Sequence, residues 1–233
     1  MRRGAIVRVV TIALLAAAAA TAVAILIDWL PAADSKEAER IDLVFWVVVA
    51  ICIGVFAVVA AITIYSVVKF RVRPDDDSDG PPIHGHTGLE IVWTAVPAIL
   101  VIILGIVSAF VLSENGNAGP NPLQVKVIGQ QFAWKFEYPD DVKSGELVLP
   151  VGRETKFTME AVDVIHSFWV PNFGQKMDAV PGIETTILVT PTRTGEFAVV
   201  CAELCGLGHA TMRAKARVVS EAEFDKWIAE QKA

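Results

Sequence analysis

The chain has 233 residues, of which 54% are hydrophobic, with a mean hydropathy of +0.51 and a formal net charge of −6. That is too apolar for an ordinary soluble domain, and the excess lies in the first half. No glycine-rich phosphate loop follows a strand, and nothing suggests nucleic acid, nucleotide or nucleophilic hydrolysis.

The first apolar run, about residues 9–30, is rich in alanine and follows Arg2, Arg3 and Arg8. Such a stretch suits either a secretory signal or a membrane anchor. Ala20, Ala22 and Ala24 are small enough for a signal peptidase, whereas Ile25, Leu26 and Ile27 prolong the run beyond an ordinary signal core. Residues 1–30 therefore stand as a signal peptide or a transmembrane helix.

Residues 43–68 contain no charge and exceed the roughly 20 residues that cross a bilayer. Cys52, inside this run, reads as a small hydrophobe. Residues 91–112 form a second span, with Pro97 expected to bend it mildly. Residues 41–112 thus make a transmembrane hairpin. Lys69, Arg71 and Arg73 follow the first of its spans at once, which puts that end in the cytoplasm. The basic N-terminus is then cytoplasmic too, and everything after about Ser113 lies outside.

Residues 74–88, rich in Pro, Gly and Asp, read as a solvated turn between the spans. His84 and His86 form an isolated H-x-H there, a pattern that usually binds no metal. Thr87 and Glu90 fit a capping box that opens the next helix, with Glu90 accepting the backbone amide of Thr87.

From Pro122 the hydrophobic period changes to two. Leu123, Val125 and Val127 alternate with polar residues, and Phe132, Trp134, Phe136 and Tyr138 form an aromatic stripe on the next strand. Short strands are predicted near 146–149, 155–162, 184–190, 196–201 and 212–219, separated by Pro/Gly turns. This pattern argues a β-sandwich or barrel over residues 120–219. Ser220 and Glu223 form a capping box for a closing helix within 220–233. After Leu112, sixteen acids, Asp163 among them, face twelve Lys and Arg. That excess suits steering of a basic partner.

The chemistry concentrates in residues 201–212, CAELCGLGHATM, which hold Cys201, Glu203, Cys205, His209 and Met212. Thiolates, imidazole and thioether are soft or borderline donors that select copper over a hard cation. A single blue-copper ion needs only one Cys. The second, four residues on, supplies enough sulfur for two metals with each thiolate bridging both. A second imidazole is still required, and with His84 and His86 across the membrane it falls to His166. A Cys201–Cys205 disulfide is the plain alternative outside the cytoplasm, and zinc a further one. The added His209, Met212 and His166 favour copper.

In these motifs, from about Ile41 to Val219, the chain resembles cytochrome c oxidase subunit II of the bacterial type. The resemblance implies a cupredoxin Greek-key domain behind a membrane hairpin, in the bacterial plasma membrane with the copper domain on the extracytoplasmic face. It implies two copper ions in a dinuclear copper A centre held by His166, Cys201, Cys205, His209, Met212 and the backbone carbonyl of Glu203. The Glu203 carboxylate would face a magnesium or manganese ion shared with subunit I. Partners would be subunit I, subunit III, a c-type cytochrome donor and the lipid bilayer. Electrons would pass from that cytochrome through copper A to haem in subunit I, where oxygen is reduced to water coupled to proton translocation.

Two further roles come only from the resemblance. In LEIVWTAVPA, Glu90 matches a glutamate at the mouth of a proton-uptake path. The family shows Gln-Trp-x-Trp in its aromatic strand, with the first Trp receiving electrons; this chain has Gln131-Phe132-Ala133-Trp134, so Phe132 stands at that position and Trp134 at the second. Family members commonly have two spans, which tilts residues 1–30 toward a cleaved signal. The alternatives are a copper A subunit of a nitric oxide reductase, a quinol oxidase subunit, which typically lacks the copper ligands, and a stand-alone membrane-anchored copper carrier.

Overall fold

The computed structural model describes residues 3–72, 75, 79–80 and 82–232. Arg2 and Arg73, two of the orienting basic residues, lie outside the described residues, as do Pro74, Asp76, Asp77, Ser78 and Pro81 of the inter-helix turn. The chain divides into two compact units, residues 1–29 with 44–108 and residues 30–43 with 109–233.

The first unit is built from α1 (Arg3–Leu26), most of α2 (Lys36–Lys69) and most of α3 (Thr87–Gly116). All three helices are long and apolar enough to cross a membrane. A spanning segment must satisfy its own backbone, which is why these runs are helical. Leu14, Val58 and Ile102 are exposed, the reverse of a water-soluble core, because lipid is their solvent. Ala57 and Ala61 are buried, as small residues are where helices approach closely. Helix α3 runs unbroken through Pro97.

The cap of α3 differs by one residue from the predicted box. His86, not Thr87, precedes the helix: its Nδ1 accepts the Leu89 amide at 3.2 Å, and Glu90 Oε1 accepts the His86 amide at 3.0 Å. An imidazole nitrogen satisfies the orphan amide as a hydroxyl would, which leaves Thr87 inside the first turn.

The second unit is a β-sandwich. Its strands are β1 (Leu123–Gln130), β2 (Ala133–Glu137), β3 (Lys143–Ser144), β4 (Leu147–Pro150), β5 (Thr155–Ala161), β6 (His166–Trp169), β7 (Lys176–Ala179), β8 (Thr185–Val189), β9 (Gly195–Cys201) and β10 (Arg213–Val219). One sheet has the order β3-β2-β1-β5-β8 and the other β4-β10-β9-β6-β7. The β1–β5 and β4–β10 pairs are parallel and the rest antiparallel. Successive strands switch sheets after β3, β4, β5, β7 and β8, the crossover habit of a cupredoxin-like Greek key. Strict alternation along β1 and β5 sends Val125, Val127, Phe157 and Met159 inward, where they meet Leu149 and Phe168 of the facing sheet. Helix α4 (Glu221–Gln231), capped reciprocally by Ser220 and Glu223, closes one end with Phe224 buried. Nearby, the Tyr138 hydroxyl is fixed between the amide and carbonyl of Val148.

Residues 30–43 belong to this same unit, so the first turns of α2 are part of the sandwich body. Ser35 caps α2 by accepting the Ala38 amide and donates to Phe173 O. Glu37, 3% exposed, accepts from the Thr190 amide at 2.8 Å and its hydroxyl at 3.1 Å. Asp34 accepts from Arg193 and Asn172. These acids sit at the positive end of the helix dipole, which favours them further. Gly174 adopts φ +73°, and a Cβ there would lie 2.8 Å from Ala38 Cα. Only glycine serves both needs.

Glu37→Ala is expected to cost about 3 kcal/mol, since two hydrogen bonds to a buried charged acceptor are lost and their donors orphaned. Gly174→Ala should destabilise the same contact. Thermal unfolding of the full chain in detergent, followed by tryptophan fluorescence, checks both; unchanged midpoints would show that this contact contributes nothing.

Candidate metal centre

The sandwich brings together six donors from two places in the chain. His166 begins β6, Cys201 ends β9, and the β9–β10 loop carries the rest. From His166 Nδ1 the distance to Cys201 Sγ is 3.9 Å, and from that sulfur to Cys205 Sγ it is 3.8 Å. Cys205 Sγ lies 3.7 Å from His209 Nδ1 and 3.7 Å from Met212 Sδ. The Glu203 carbonyl faces Cys201 Sγ at 3.2 Å. The donors form a line, imidazole–sulfur–sulfur–imidazole, with one weak donor beside each sulfur.

This set fits a pair of soft cations. The sulfur separation is far beyond the roughly 2.05 Å of a disulfide, and both cysteines are free thiols. His166, Cys201 and Cys205 alone place their donor atoms within 4.8 Å of one another. A single tetrahedral zinc would use two thiolates and two imidazoles and leave the aimed thioether idle. Cys201, Cys205 and Met212 are buried and His166 is 0% exposed, whereas His209 is half-buried. Burial, reinforced by the neighbouring Cys201, pushes the Cys205 thiol up to about 11. Metal uptake therefore displaces protons from this pair, and its affinity rises with pH.

Residues outside the donor set hold it in shape. Asp163 Oδ1 is 2.8 Å from His166 Nε2, which makes Nε2 the protonated nitrogen and turns Nδ1 toward the sulfurs. The other carboxylate oxygen accepts the Gln131 amide at 2.7 Å. Gln131 in turn donates its side-chain amide to Cys205 O at 2.6 Å. Burial works against the charged form of Asp163, but the amides of Gln131 and Val164 and the His166 contact outweigh it and hold its carboxyl below the usual range. Sequence reasoning counted Asp163 only as a surface acid. The signal it missed is a carboxylate three residues before a candidate ligand histidine across a turn.

The predicted aromatic stripe is only partly realised. Trp134, Phe136 and Tyr138 are buried, and Trp134 packs edge-on against His166 with ring centres 5.9 Å apart. Phe132 lies before β2, outside the strand, and is 40% exposed. Its ring is folded over the β9–β10 loop, where a Cβ on Gly208 would come within 2.5 Å of it. The glycine lets the ring settle on the loop, and that contact overrides the strand alternation. Leu204 and Leu207 are exposed on the same loop. His84 and His86 lie in the inter-helix segment, and Glu90 in the first turn of α3.

Two family profiles match the chain: cytochrome c oxidase subunit II, transmembrane domain, over residues 20–111, and cytochrome c oxidase subunit II, periplasmic domain, over residues 142–219. Cytochrome c oxidase subunit 2 of Synechocystis is 34% identical, over 86% of this chain and 75% of that one. The Thermostichus vulcanus protein of the same name is also 34% identical, over 85% and 77%. Among solved structures, the periplasmic domain of subunit II of cytochrome oxidase from Bradyrhizobium japonicum is 33% identical, covering 48% of this chain and 96% of that one with a TM-score of 0.46. On these matches the chain belongs to the cytochrome c oxidase subunit II family.

Proposed function

We propose that His166, Cys201, Cys205, His209, Met212 and the Glu203 carbonyl hold the dinuclear copper A centre through which this oxidase subunit receives electrons. As a family member the chain is a membrane-anchored part of an oxidoreductase complex, with its metal domain outside and other oxidase subunits as partners. The observation that carries the ligand assignment is the pair of buried thiols 3.8 Å apart with an imidazole beyond each. When bound there, two copper ions would supply a store for one electron.

The chain's own residues supply the rest. Asp163 fixes the tautomer and direction of His166, and Gln131 ties that carboxylate to the Cys205 loop. Phe132, with exposed Leu204 and Leu207, forms an apolar patch over the loop that suits contact with a c-type cytochrome. Trp134 is buried against His166. The acidic excess of the outer domain favours a basic donor at long range. Glu203 turns its carbonyl to Cys201 and leaves its side chain exposed, so the carboxylate is free for a magnesium or manganese ion shared with subunit I. Glu90, exposed at the start of α3, is the candidate for proton uptake on the inner side.

The full chain is expected to bind two coppers and to show one unpaired electron spread over both. Cys201→Ser or Cys205→Ser should abolish the pair, while Met212→Leu keeps both metals. Metal analysis with electron paramagnetic resonance decides this; one copper per chain with a single-ion hyperfine pattern would refute the dinuclear assignment. Asp163→Ala should weaken copper retention about 10- to 100-fold against a chelator, the usual cost of losing a carboxylate behind a ligand histidine. Asp163→Asn should bind copper with a raised potential, because a negative charge beside the site is gone. Retention and potential equal to wild type would remove Asp163 from the site.

Glu90→Gln keeps an oxygen for the His86 amide, so the helix cap survives. Turnover of the assembled oxidase should nevertheless fall, with copper content and the rate of cytochrome oxidation intact, and Glu90→Asp should recover part of it. Wild-type turnover in Glu90→Gln would leave Glu90 with the capping role alone.

A further inference from the structure

A cavity of about 500 Å³ opens between α1 and α2, far along the sequence from every metal donor. Helix α1 lines it with Val7, Arg8, Thr11 and Ile12, and α2 with Tyr65, Val68 and Lys69. The spacings follow one face of each helix, so each wall is a continuous strip. Two of these side chains are cations, and no acid lines the cavity. The remainder of the wall is apolar apart from two hydroxyls. Thr11 already donates its hydrogen to Val7 O at 2.9 Å, which leaves Arg8, Lys69 and the Tyr65 hydroxyl as the donors that can turn to a guest.

The depth of the cavity says what that guest meets. Arg8 and Lys69 lie at the basic, cytoplasmic ends of their helices. Phe70, one residue beyond Lys69, is exposed and packs edge-on against Tyr65 with ring centres 6.4 Å apart. Amphipathic aromatic side chains such as Tyr65 gather at the level of lipid headgroups. A guanidinium fork with an ammonium matches the oxygens of a phosphate diester, and apolar walls beside it match glycerol and the first acyl carbons. Basic recesses between membrane helices on this side are suited to anionic headgroups.

We propose that this cavity is a binding site for one anionic phospholipid of the inner leaflet. Its phosphate is held by Arg8 and Lys69, and its upper acyl carbons lie along Val7, Ile12 and Val68. The site makes α1 a working part of the mature subunit, because half of the wall is lost if residues 3–12 are removed. It is independent of the copper assignment.

The test uses the full chain purified in detergent, with phosphatidylglycerol or phosphatidylcholine added and bound lipid counted by native mass spectrometry. Wild type should retain one phosphatidylglycerol and release phosphatidylcholine. Arg8→Gln with Lys69→Gln should weaken phosphatidylglycerol binding about 30-fold, about fivefold for each cation. Tyr65→Phe should weaken it less. Arg71→Gln, a cation of the same membrane face outside the cavity, should change it by no more than about threefold, the reach of diffuse attraction. Far-UV circular dichroism confirms that the variants keep their helices. Equal retention of the two lipids, equal loss in Arg71→Gln and the double variant, or a mature chain whose mass lacks residues 3–12 would each overturn the proposal.

Discussion

Two sulfur atoms held 3.8 Å apart in a nearly dry setting set the terms for the rest of the outer domain. Burial and the neighbouring Cys201 make the Cys205 thiol harder to ionise. The arrangement belongs to a larger set of donors that a pair of cations would complete. Five of the six donors come from the short β9–β10 loop and its flanks, where local backbone geometry places them cheaply. The sixth, His166, is brought by a neighbouring strand and must be aimed. Asp163 does the aiming, and the β6–β9 pairing brings His166 beside Cys201.

The sandwich is organised around that demand. Its interior is filled by aromatic and branched side chains from both sheets, so His166 and Met212 can be excluded from water without leaving a void. A carboxylate beside a buried histidine would be costly if left alone. Here Asp163 accepts from two backbone amides as well as His166, and those bonds outweigh its partial desolvation. At the other end of the domain the same logic recurs: Asp34 and Glu37 are buried, and each is answered by donors from the sandwich loops. Acids answered by several donors mark both the candidate metal end, at Asp163, and the first turns of α2, at Asp34 and Glu37.

Much of this was legible in the sequence because the signals were local. A charge-free run long enough for a bilayer, alternation along β1 and β5, and a dense loop of sulfur and imidazole each lie within a few residues. What escaped depended on contacts across the chain. Strands β6 and β7 are four residues long, and β6 is covered on both faces, so neither offers a clear period of two. Residues 30–43 carry no pattern that assigns them to the sandwich; the contacts of Asp34, Ser35 and Glu37 with residues 172–193 do. Phe132 fits a strand alternation on paper, yet its ring is claimed by Gly208, a residue far along the sequence. Asp163 is invisible as a support until His166 is placed beside it.

The two ends of the donor line are not alike. His166 has no exposed surface, whereas His209 is half-buried and Phe132 lies across the adjoining glycines. Whenever the charge of such a site changes by one, surrounding water dipoles must turn, and that reorganisation is part of the barrier to electron transfer. The His166 end offers no surface to solvent, so the cost falls on the half-buried His209 side. There the Phe132 ring shields the loop from solvent with a hydrocarbon face that needs no redox chemistry of its own. A phenylalanine serves that purpose as well as an indole would, which gives this position a use as insulation around the site.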